Sequence, residues 1–354
     1  MSVPSSVGVP LLEPAASQLS EAAAGYRPRT AVRLMVADAG TGLVTHGAFP
    51  DLVNVLGPGD VLVINVSATV PAAVQGLGPS GPVRLHLSSP VAGAVWTVEA
   101  RRPAGHGSRP WRDFEGGRVE LPAGASATFV ARDSRSPRLW LVELAGMGDA
   151  LDYLHRHGQP IRYAHETKAR PLSAYQTVYA REPGSAEMPS AGRPFTARLM
   201  TRLAAVGVVF APVVLHCGVA SFEAGERPDE ERYAVGEATA RLVNQARAAG
   251  NRVVAVGTTS ARALETVVDS AGAVHPGAGR TDLLIGPERG VRAIDGLLTG
   301  WHEAGASHRG LVEAVTGPAM MARCYAEAVE RGYLGHEFGD SLLVLSRATA
   351  PERP

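Results

Sequence analysis

The sequence predicts an α/β protein in which a mixed, mainly parallel sheet covered by helices is interrupted by an inserted small antiparallel β-barrel-like domain. Two observations predict this architecture. In the second half of the chain, helix-type and strand-type segments alternate, which is typical of a parallel sheet with helices on its faces. Between residues 71 and 149, short strand-type segments are separated by Gly and Pro, a spacing that favours a small barrel or sandwich. We therefore expect a discontinuous main domain, 30–70 and 150–350, around an inserted β domain, 71–149.

The N-terminal elements follow from composition and periodicity. Residues 1–29 are rich in Ala, Ser and Pro and have no sustained period, which predicts a loosely ordered arm. Residues 32–36 and 43–46 have strand-type patterns, and the glycine-containing turn between them predicts a hairpin. Residues 51–56 predict a short helix, and the apolar run 61–65 predicts a strand that is buried on both faces.

The remaining elements of the main domain alternate in type. They are, in order, a helix at about 197–206, a strand at 208–215, a helix at about 235–249, a strand at 253–256, a helix near 260–270, a helix at about 310–332 and a strand at 341–345. No repeat of fixed period is visible. The order therefore favours one sheet with helices packed on it.

Composition narrows the class of protein. Lys plus Arg and Asp plus Glu both number 34, so no net charge attracts nucleic acid over a long range, and RNA binding would need a local basic patch. The two cysteines, Cys217 and Cys324, suggest neither a disulfide framework nor a thiolate zinc site. The chain shows no signal-peptide pattern and no apolar run of about 18 residues, so we expect a cytoplasmic protein without a membrane partner.

A histidine directly follows one of the predicted strands. His216 comes after the apolar run 213–215, and open α/β sheets bind ligands where their strands end. Its imidazole suits acid, base or hydrogen-bond donor chemistry near neutral pH. The alternative is a structural histidine that caps the strand, and the residues alone leave both interpretations open. Cys217 has no obvious basic or helix-terminal neighbour, which favours an inert buried thiol.

A second segment combines a strand, a turn of small residues and a helix start. Thr258, Thr259 and Ser260 follow the strand 253–256. The free N–H groups of a helix start, together with these hydroxyls, could hold an anionic group such as a carboxylate. One of the hydroxyls could equally be an ordinary N-cap. The segment lacks the Gly-Lys-Ser/Thr ending of a phosphate-binding loop.

Two further segments carry polar or aromatic residues. Asp295, Thr299 and His302 lie close together in the sequence and could converge on a ligand beside an indole. That indole belongs to Trp301, which could equally be part of the core. A stretch between residues 175 and 196 mixes aromatic with small residues, which suits contact with a planar base.

Taken in order, these segments resemble the S-adenosylmethionine:tRNA ribosyltransferase-isomerase family of queuosine biosynthesis. The likeness lies in Tyr-Gln-Thr-Val-Tyr-Ala at 175–180, in Pro-Ser-Ala-Gly-Arg-Pro-Phe-Thr at 189–196, in Val-Gly-Thr-Thr-Ser-Ala-Arg-Ala-Leu-Glu at 256–265, in the stretch 56–65 and in Gly339-Asp340. It covers residues 28–346, with the family's order and similar spacing.

The resemblance implies a fold and a reaction. The fold is a main α/β domain interrupted by a β-barrel-like domain. In the reaction, the ribosyl part of S-adenosylmethionine is transferred to 7-aminomethyl-7-deazaguanine in tRNA and isomerised to an epoxycyclopentanediol, with release of adenine and methionine. The resemblance further implies S-adenosylmethionine as substrate and no metal. The expected partner is tRNA, and the expected assembly is a monomer or homodimer.

On this basis we expect the catalytic residues to be His216, His302 and Asp295. The expected substrate-binding residues are Tyr175, Gln176, Ser190, Gly192, Phe195, Thr196, Ser221, Phe222, Thr258, Thr259, Ser260, Arg262, Glu265 and Thr299. Either histidine would transfer the proton that departing adenine requires. The turn 258–260 would hold the methionine end or a ribose hydroxyl.

The chain also departs from the family pattern. Ala68 and Ala73 stand where the family has arginines, and Pro194 stands where it has a histidine. The family's Met-His-x-Glu element after Phe222 is missing. The lost arginines remove capacity to pair with phosphate. Two alternatives therefore stand beside the tRNA enzyme: a paralogue that uses S-adenosylmethionine on a small-molecule acceptor, and a non-catalytic protein that binds a nucleoside or a partner protein.

Overall fold

The computed structural model describes residues 26–346 except 106, 164–165, 167, 220–229 and 303–305. Within these residues, nine strands form the main sheet. In spatial order they are β16 (Gly277–Thr281), β14 (Glu231–Val235), β13 (Val209–Leu215), β3 (Val61–Asn65), β15 (Val253–Val256), β17 (Gly296–Thr299), β18 (Ser341–Leu345), β1 (Arg33–Asp38) and β2 (Val44–Ala48). At the centre, β13, β3, β15 and β17 run parallel to one another.

A second sheet is built from the inserted part of the chain. Its described strands are β5 (Ala73–Gly78), β6 (Gly81–Ala92), β7 (Val95–Ala104), β8 (Gly107–Pro110), β9 (Gly117–Glu120), β10 (Ser126–Arg132) and β11 (Leu139–Ala145). Because β11 pairs with both β10 and β7, the sheet closes into a barrel, and β8 extends it beside β7. Two short strands, β4 (Ser67–Thr69) and β12 (Glu182–Ser185), form a separate parallel pair. The predicted fold class is confirmed.

The α-helices of the described ranges lie mainly in the second half of the chain. They are α1 (Ala150–His157), α2 (Ala197–Ala205), α3 (Glu237–Ala248), α4 (Thr258–Thr266), α5 (Ser307–Thr316) and α6 (Pro318–Glu330). The predicted helix 310–332 is therefore two helices, because Gly317 has a φ of +79° and Pro318 begins a new helix. The predicted helix 51–56 is a 3₁₀-helix, Phe49–Asn54. Among the described helices, none is long and apolar enough to cross a bilayer.

Helices cover both faces of the main sheet. Along β3, Val61 and Val63 face the apolar cluster under α3 to α6, whereas Leu62 and Ile64 face the cluster that contains α2. All five residues of β3 are therefore buried, as the continuous apolar run of the sequence predicts. Packing on both faces fixes the central strands, so the loops that leave them start from fixed points.

The central parallel strands end together at one edge of the sheet. Asn65 ends β3, His216 follows β13, Thr258 follows the turn after β15 and Thr299 ends β17. Because these four strands are parallel, the four residues lie along the same edge, which we call the carboxyl edge. The opposite edge, where the same strands begin, is the amino edge.

Asp60 is a fully buried carboxylate at the amino edge. It accepts hydrogen bonds from the Gly57 amide at 2.9 Å and from the Arg252 guanidinium at 2.6 Å. Burial alone would raise the pKa of Asp60, but the hydrogen bonds from Arg252 and Gly57 outweigh burial, so the pKa is lowered. Such a group stabilises the fold above its unfolded pKa of about 3.9 and loses that contribution as the pH falls through its folded-state pKa.

We expect Asp60→Asn to lower the free energy of unfolding at neutral pH by about 1.5–3 kcal/mol, because charge-assisted hydrogen bonds are lost. The deficit should shrink as the wild-type carboxylate is protonated below about pH 4. Urea unfolding of both proteins at neutral and acidic pH measures this difference. Asp113→Asn, which alters an exposed ion pair with Arg102, is the matched control and should cost little. A deficit of equal size at both pH values would contradict the argument.

Candidate functional site

His216 lies at the carboxyl edge in a network of hydroxyl groups. The Ser67 hydroxyl is 2.8 Å from His216 Nδ1 and 2.6 Å from the Ser185 hydroxyl. The Cys217 amide donates to Ser185 Oγ over 3.0 Å. Gly184 passes so close to the imidazole that a Cβ there would lie 2.6 Å from Nδ1, so a side chain at this position would displace the ring. One side of the imidazole is therefore held in place.

The hydrogen positions follow from counting donors and acceptors in this network. Ser185 Oγ accepts from the Cys217 amide, and its other partner among the described residues is Ser67 Oγ. Ser185 therefore donates to Ser67, and Ser67 donates to His216 Nδ1, which places the imidazole proton on Nε2. Burial, and to a smaller degree the charge of Arg232, lowers the pKa of His216 to about 4. The ring is neutral at neutral pH and presents a free N–H donor.

Asn65, which the sequence analysis did not single out, ties three elements of the carboxyl edge together. Its amide nitrogen donates to the Leu215 carbonyl at 2.8 Å and to the Thr259 hydroxyl at 3.2 Å. Its amide oxygen accepts from the backbone N–H groups of Leu215 and Ser67. The signal in the sequence is a single polar residue at the end of an otherwise apolar strand, and such a residue needs buried hydrogen-bond partners.

Three hydroxyl groups lie together where α4 begins. The turn before them contains Gly257 with a φ of +90°, and α4 has no side-chain cap at that residue. The Thr259 hydroxyl accepts from the amide described above, and the Ser260 hydroxyl donates to the Val256 carbonyl at 2.8 Å. Thr258 lines a cavity beside α5. One of the three hydroxyls is thus engaged by the backbone, which reduces the donors that this turn offers to a ligand.

A buried ion pair between Arg262 and Glu231 lies behind the carboxyl edge. Arg262 also donates to the carbonyls of Leu283 at 3.0 Å and Thr281 at 3.1 Å. The Glu231 carboxylate accepts from the Gly218 amide at 2.9 Å, so the pair holds the loop that follows β13. The sequence predicts Arg262 as a substrate-binding residue, but these contacts go to protein groups and give it a supporting role.

The prediction that Glu265 and Asp295 line the same site is wrong, because both lie at the amino edge. The Glu265 carboxylate accepts from the backbone amides of Arg292 and Ala293, each at 2.7 Å, ahead of β17. The Asp295 carboxylate accepts from the Val253 amide, at the start of β15. An extended strand carries the chain about 3.3 Å per residue, so residues before and after β17 reach opposite edges of the sheet.

His302 continues the carboxyl edge beyond β17. Its Nε2 is 2.8 Å from the Thr299 hydroxyl, and its ring stacks on that of His308 with centroids 4.7 Å apart. Burial, followed by the charges of His308 and Arg309, lowers the pKa of His302 well below its ordinary value. Burial, followed by the charge of Arg262, lowers the pKa of His308 to about 4. At neutral pH this edge therefore offers neutral donors and acceptors from its histidines, not imidazolium acids.

Several predicted site residues have structural roles. Phe195 is fully buried and packs edge-on against Phe49, with ring centroids 5.1 Å apart. The Thr196 hydroxyl accepts from the Leu199 amide at 3.2 Å and caps α2. These contacts correct the expectation that Phe195 and Thr196 touch a substrate, because a buried ring and an occupied cap face the protein. Trp301 is 4% exposed and packs against two buried tyrosines in the core.

The aromatic segment begins with a connection to β4. The Tyr175 hydroxyl donates to Glu166 at 2.6 Å, and burial, followed by this bond, raises the pKa of Tyr175. The Gln176 amide group bonds both the N–H of Thr69, at 2.9 Å, and its carbonyl, at 2.7 Å. Ser190–Gly192 forms a 3₁₀ turn further along the segment. Tyr175 and Gln176 thus lie close to the chain that leads from the network around His216.

Two cavities lie at opposite edges of the sheet. The cavity at the carboxyl edge is about 20 Å³ and is lined by Thr258, Arg262, Leu283, Leu284, Ile285, Ser307, His308 and Leu311. This volume has room for one water, whereas small-molecule pockets measure roughly 300–1,000 Å³, so a larger ligand requires these walls to move. A cleft of about 710 Å³ at the amino edge has Arg247, Arg292 and Asp295 among its lining residues.

Two predicted residues, Ser221 and Phe222, lie outside the described residues. In the described part of the chain, no group of three or more His, Cys, Asp or Glu side chains is placed to hold a metal ion. Size alone favours the amino-edge cleft as a ligand site. The polar groups argue for the other edge, because His216, His302 and the hydroxyls at the start of α4 all lie there.

Comparison with known proteins gives a consistent result. A model of the queuosine biosynthesis protein family matches residues 16–344. The chain is 38% identical to the S-adenosylmethionine:tRNA ribosyltransferase-isomerase of Anaeromyxobacter dehalogenans (strain 2CP-C), over 92% of this chain and 96% of that protein. It is 36% identical to the protein of the same name from Moorella thermoacetica, over 90% of this chain and 94% of that protein. A crystal structure of S-adenosylmethionine tRNA ribosyltransferase from Thermotoga maritima is similar, with a TM-score of 0.50, 28% identity and coverage of 90% and 94%.

Proposed function

The chain belongs to the queuosine biosynthesis protein family, and we propose that it acts as an S-adenosylmethionine:tRNA ribosyltransferase-isomerase. The ribosyl part of S-adenosylmethionine would be transferred to 7-aminomethyl-7-deazaguanine in tRNA and isomerised, with adenine and methionine released. The observation that carries this proposal is the identity of 36% and 38%, over 90% or more of the chain, to proteins named for that activity. The convergence of polar groups at the carboxyl edge supports it.

We assign His216 the role of hydrogen-bond donor to the departing adenine. A neutral imidazole with its proton on Nε2 can donate to an atom on which negative charge develops, without first taking up a proton. The network of Ser67 and Ser185 favours this tautomer, and the lowered pKa of His216 keeps the ring neutral. His302 would orient the Thr299 hydroxyl, which lies 2.8 Å from its Nε2.

The remaining part of the substrate fits the same edge. The methionine end carries a carboxylate, and the N-terminus of α4 with the Thr258 hydroxyl suits an anion. The sulfonium already carries the positive charge that makes the thioether a good leaving group and acidifies the neighbouring C5′ hydrogens. The proposed reaction therefore needs no metal ion, and S-adenosylmethionine serves as a substrate.

We expect Asp295→Asn to leave kcat for adenine release within about twofold of wild type, because the carboxylate lies at the amino edge and does not touch reacting atoms. Thermal unfolding should occur at a lower temperature, since the bond to the Val253 amide is weakened. Steady-state kinetics and a melting curve measure the two effects. A hundredfold loss of kcat would show that the amino edge takes part in the chemistry.

The direct test of the proposed function is incubation with S-adenosylmethionine and a tRNA that carries 7-aminomethyl-7-deazaguanine. We expect adenine and methionine in equal amounts, together with a gain in mass of the RNA. No adenine release in the presence of this tRNA would contradict the proposal. Adenine release of equal rate without any RNA would favour the paralogue with a small-molecule acceptor.

A further inference from the structure

A buried arginine beside the barrel lacks a partner for part of its guanidinium group. Arg162 is 7% exposed, and its Nη1 has no hydrogen-bond partner among the described residues. Leaving a cationic group buried and unsatisfied is costly, because the solvation that it loses is not replaced. A group of this kind requires an explanation, and an anionic ligand that supplies the missing acceptors is one.

The neighbours of Arg162 indicate the direction of its side chain. Ile161 and Tyr163 pack with the barrel core, and Tyr163 pairs with Ser108 of β8. Side chains alternate along an extended segment, so that of Arg162 leaves on the opposite side. There it acts on Tyr175, where burial raises the pKa of the hydroxyl and the charge of Arg162 opposes that rise. The guanidinium therefore faces the segment that follows the barrel.

A second guanidinium lies close to the first. Burial lowers the pKa of Arg84, and the charge of Arg162 lowers it further, which shows that the two cations repel each other. The buried Glu99, on the same barrel face as Arg84, already pairs with Arg101 at 2.7 Å and with Arg138 at 3.2 Å. This carboxylate is therefore committed elsewhere, and a bound anion would relieve the repulsion.

The arginine lies on a short covalent path from the carboxyl edge. Tyr175, on whose hydroxyl the charge of Arg162 acts, accepts from the Thr69 hydroxyl through its own carbonyl at 2.7 Å. Thr69 and Ser67 belong to the same strand, β4, and Ser67 bonds the His216 ring. A ligand that reaches the histidine can therefore extend along β4 toward Arg162.

We propose that Arg162, with Arg84 beside it, forms an oxyanion-binding subsite that takes a phosphate of the RNA acceptor. This proposal rests on the proposed function, since it assumes that the acceptor is a tRNA. A guanidinium offers a planar fork of donors that matches a phosphate group. The chain has no net charge, so RNA binding needs local cations of this kind.

The test compares Arg162→Met with Arg118→Met in the full-length chain. Arg118 is the matched control, because it is an exposed barrel arginine that pairs with an equally exposed Glu120. Binding of an unmodified tRNA transcript is measured over a range of salt concentrations, and binding of S-adenosylmethionine is measured by calorimetry. Melting curves of both variants establish that they are folded.

We expect Arg162→Met to weaken tRNA binding about tenfold at low salt. The slope of log K against log salt should become shallower by about 0.7–0.9, the value for one lost phosphate contact. Binding of S-adenosylmethionine should stay unchanged, and Arg118→Met should behave as wild type. If Arg162→Met does not fold, Arg162→Lys replaces it: the charge is kept, so the slope should stay while affinity falls because the fork of donors is lost.

Two results would overturn the subsite. One is a tRNA affinity and salt slope for Arg162→Met equal to those of wild type. The other is a loss of affinity for S-adenosylmethionine instead of tRNA, which would assign the cation to the substrate carboxylate. The proposed function is judged separately: if tRNA binding depends on Arg162 but no adenine is ever released, the subsite stands and the transferase activity fails.

Discussion

Replacing His216 by alanine should lower kcat for adenine release by about 10²–10³-fold, with a much smaller change in KM. The reason is that the Nε2–H donor acts most strongly when the departing base acquires charge, so its loss raises the barrier more than it weakens substrate binding. Steady-state kinetics with S-adenosylmethionine and the modified tRNA measures both constants. Because the pKa of His216 is lowered to about 4, this donor should stay in its neutral form throughout the neutral pH range.

Two variants make this result specific. His275→Ala is the matched control, because His275 is exposed and pairs with Asp269 on the surface, so kcat should not change. Ser67→Ala removes the hydroxyl that fixes Nδ1 as an acceptor, so kcat should fall about tenfold through loss of orientation. Nitrogen NMR should then show a mixture of tautomers in place of the Nε2–H form. A His216→Ala enzyme as fast as the control would remove His216 from the mechanism.

Replacing Glu231 by glutamine should lower the free energy of unfolding by about 3 kcal/mol, because Arg262 is left buried without its counter-charge. The same substitution weakens the bond to the Gly218 amide, which is 2.9 Å long and anchors the loop after β13. We therefore expect kcat to fall together with stability. Urea unfolding and steady-state kinetics of the same preparation measure both effects.

The control for this substitution is Glu120→Gln, which breaks an ion pair that is 59% exposed on both sides. It should change the free energy of unfolding by less than about 1 kcal/mol. Combining Glu231→Gln with Arg262→Met removes both charges and should restore part of the lost stability. If Glu231→Gln cost no more than the exposed control, the buried pair would not hold the edge together.

The sequence predicts the position of the reactive edge because two general rules suffice for it. Apolar runs such as 61–65 mark strands covered on both faces, and alternating helices make the central strands parallel. Residues that follow such strands must then meet at one edge, which is where His216 and Thr258 lie. Gly317 and Pro318 also carried a visible signal for a helix break, which a single helix at 310–332 overlooks.

The rest of the site depends on pairings between distant parts of the chain. Ser67 and Ser185 are 118 positions apart, and only folding shows that their hydroxyls meet beside His216. Asp295 was misplaced for the opposite reason, because nearness in sequence to the end of β17 conceals that a strand carries the chain across the whole sheet. The direction of hydrogen bonds around a side chain, which decides its chemistry, has no local sequence signal.

The most direct test of the account is a crystal structure of the protein with S-adenosylmethionine bound. The account expects the ligand at the carboxyl edge, with its adenine within hydrogen-bond distance of His216 Nε2 and its methionine carboxylate at the turn that begins with Thr258. A ligand seated in the cleft of about 710 Å³ at the amino edge, among Arg247 and Arg292, would contradict it.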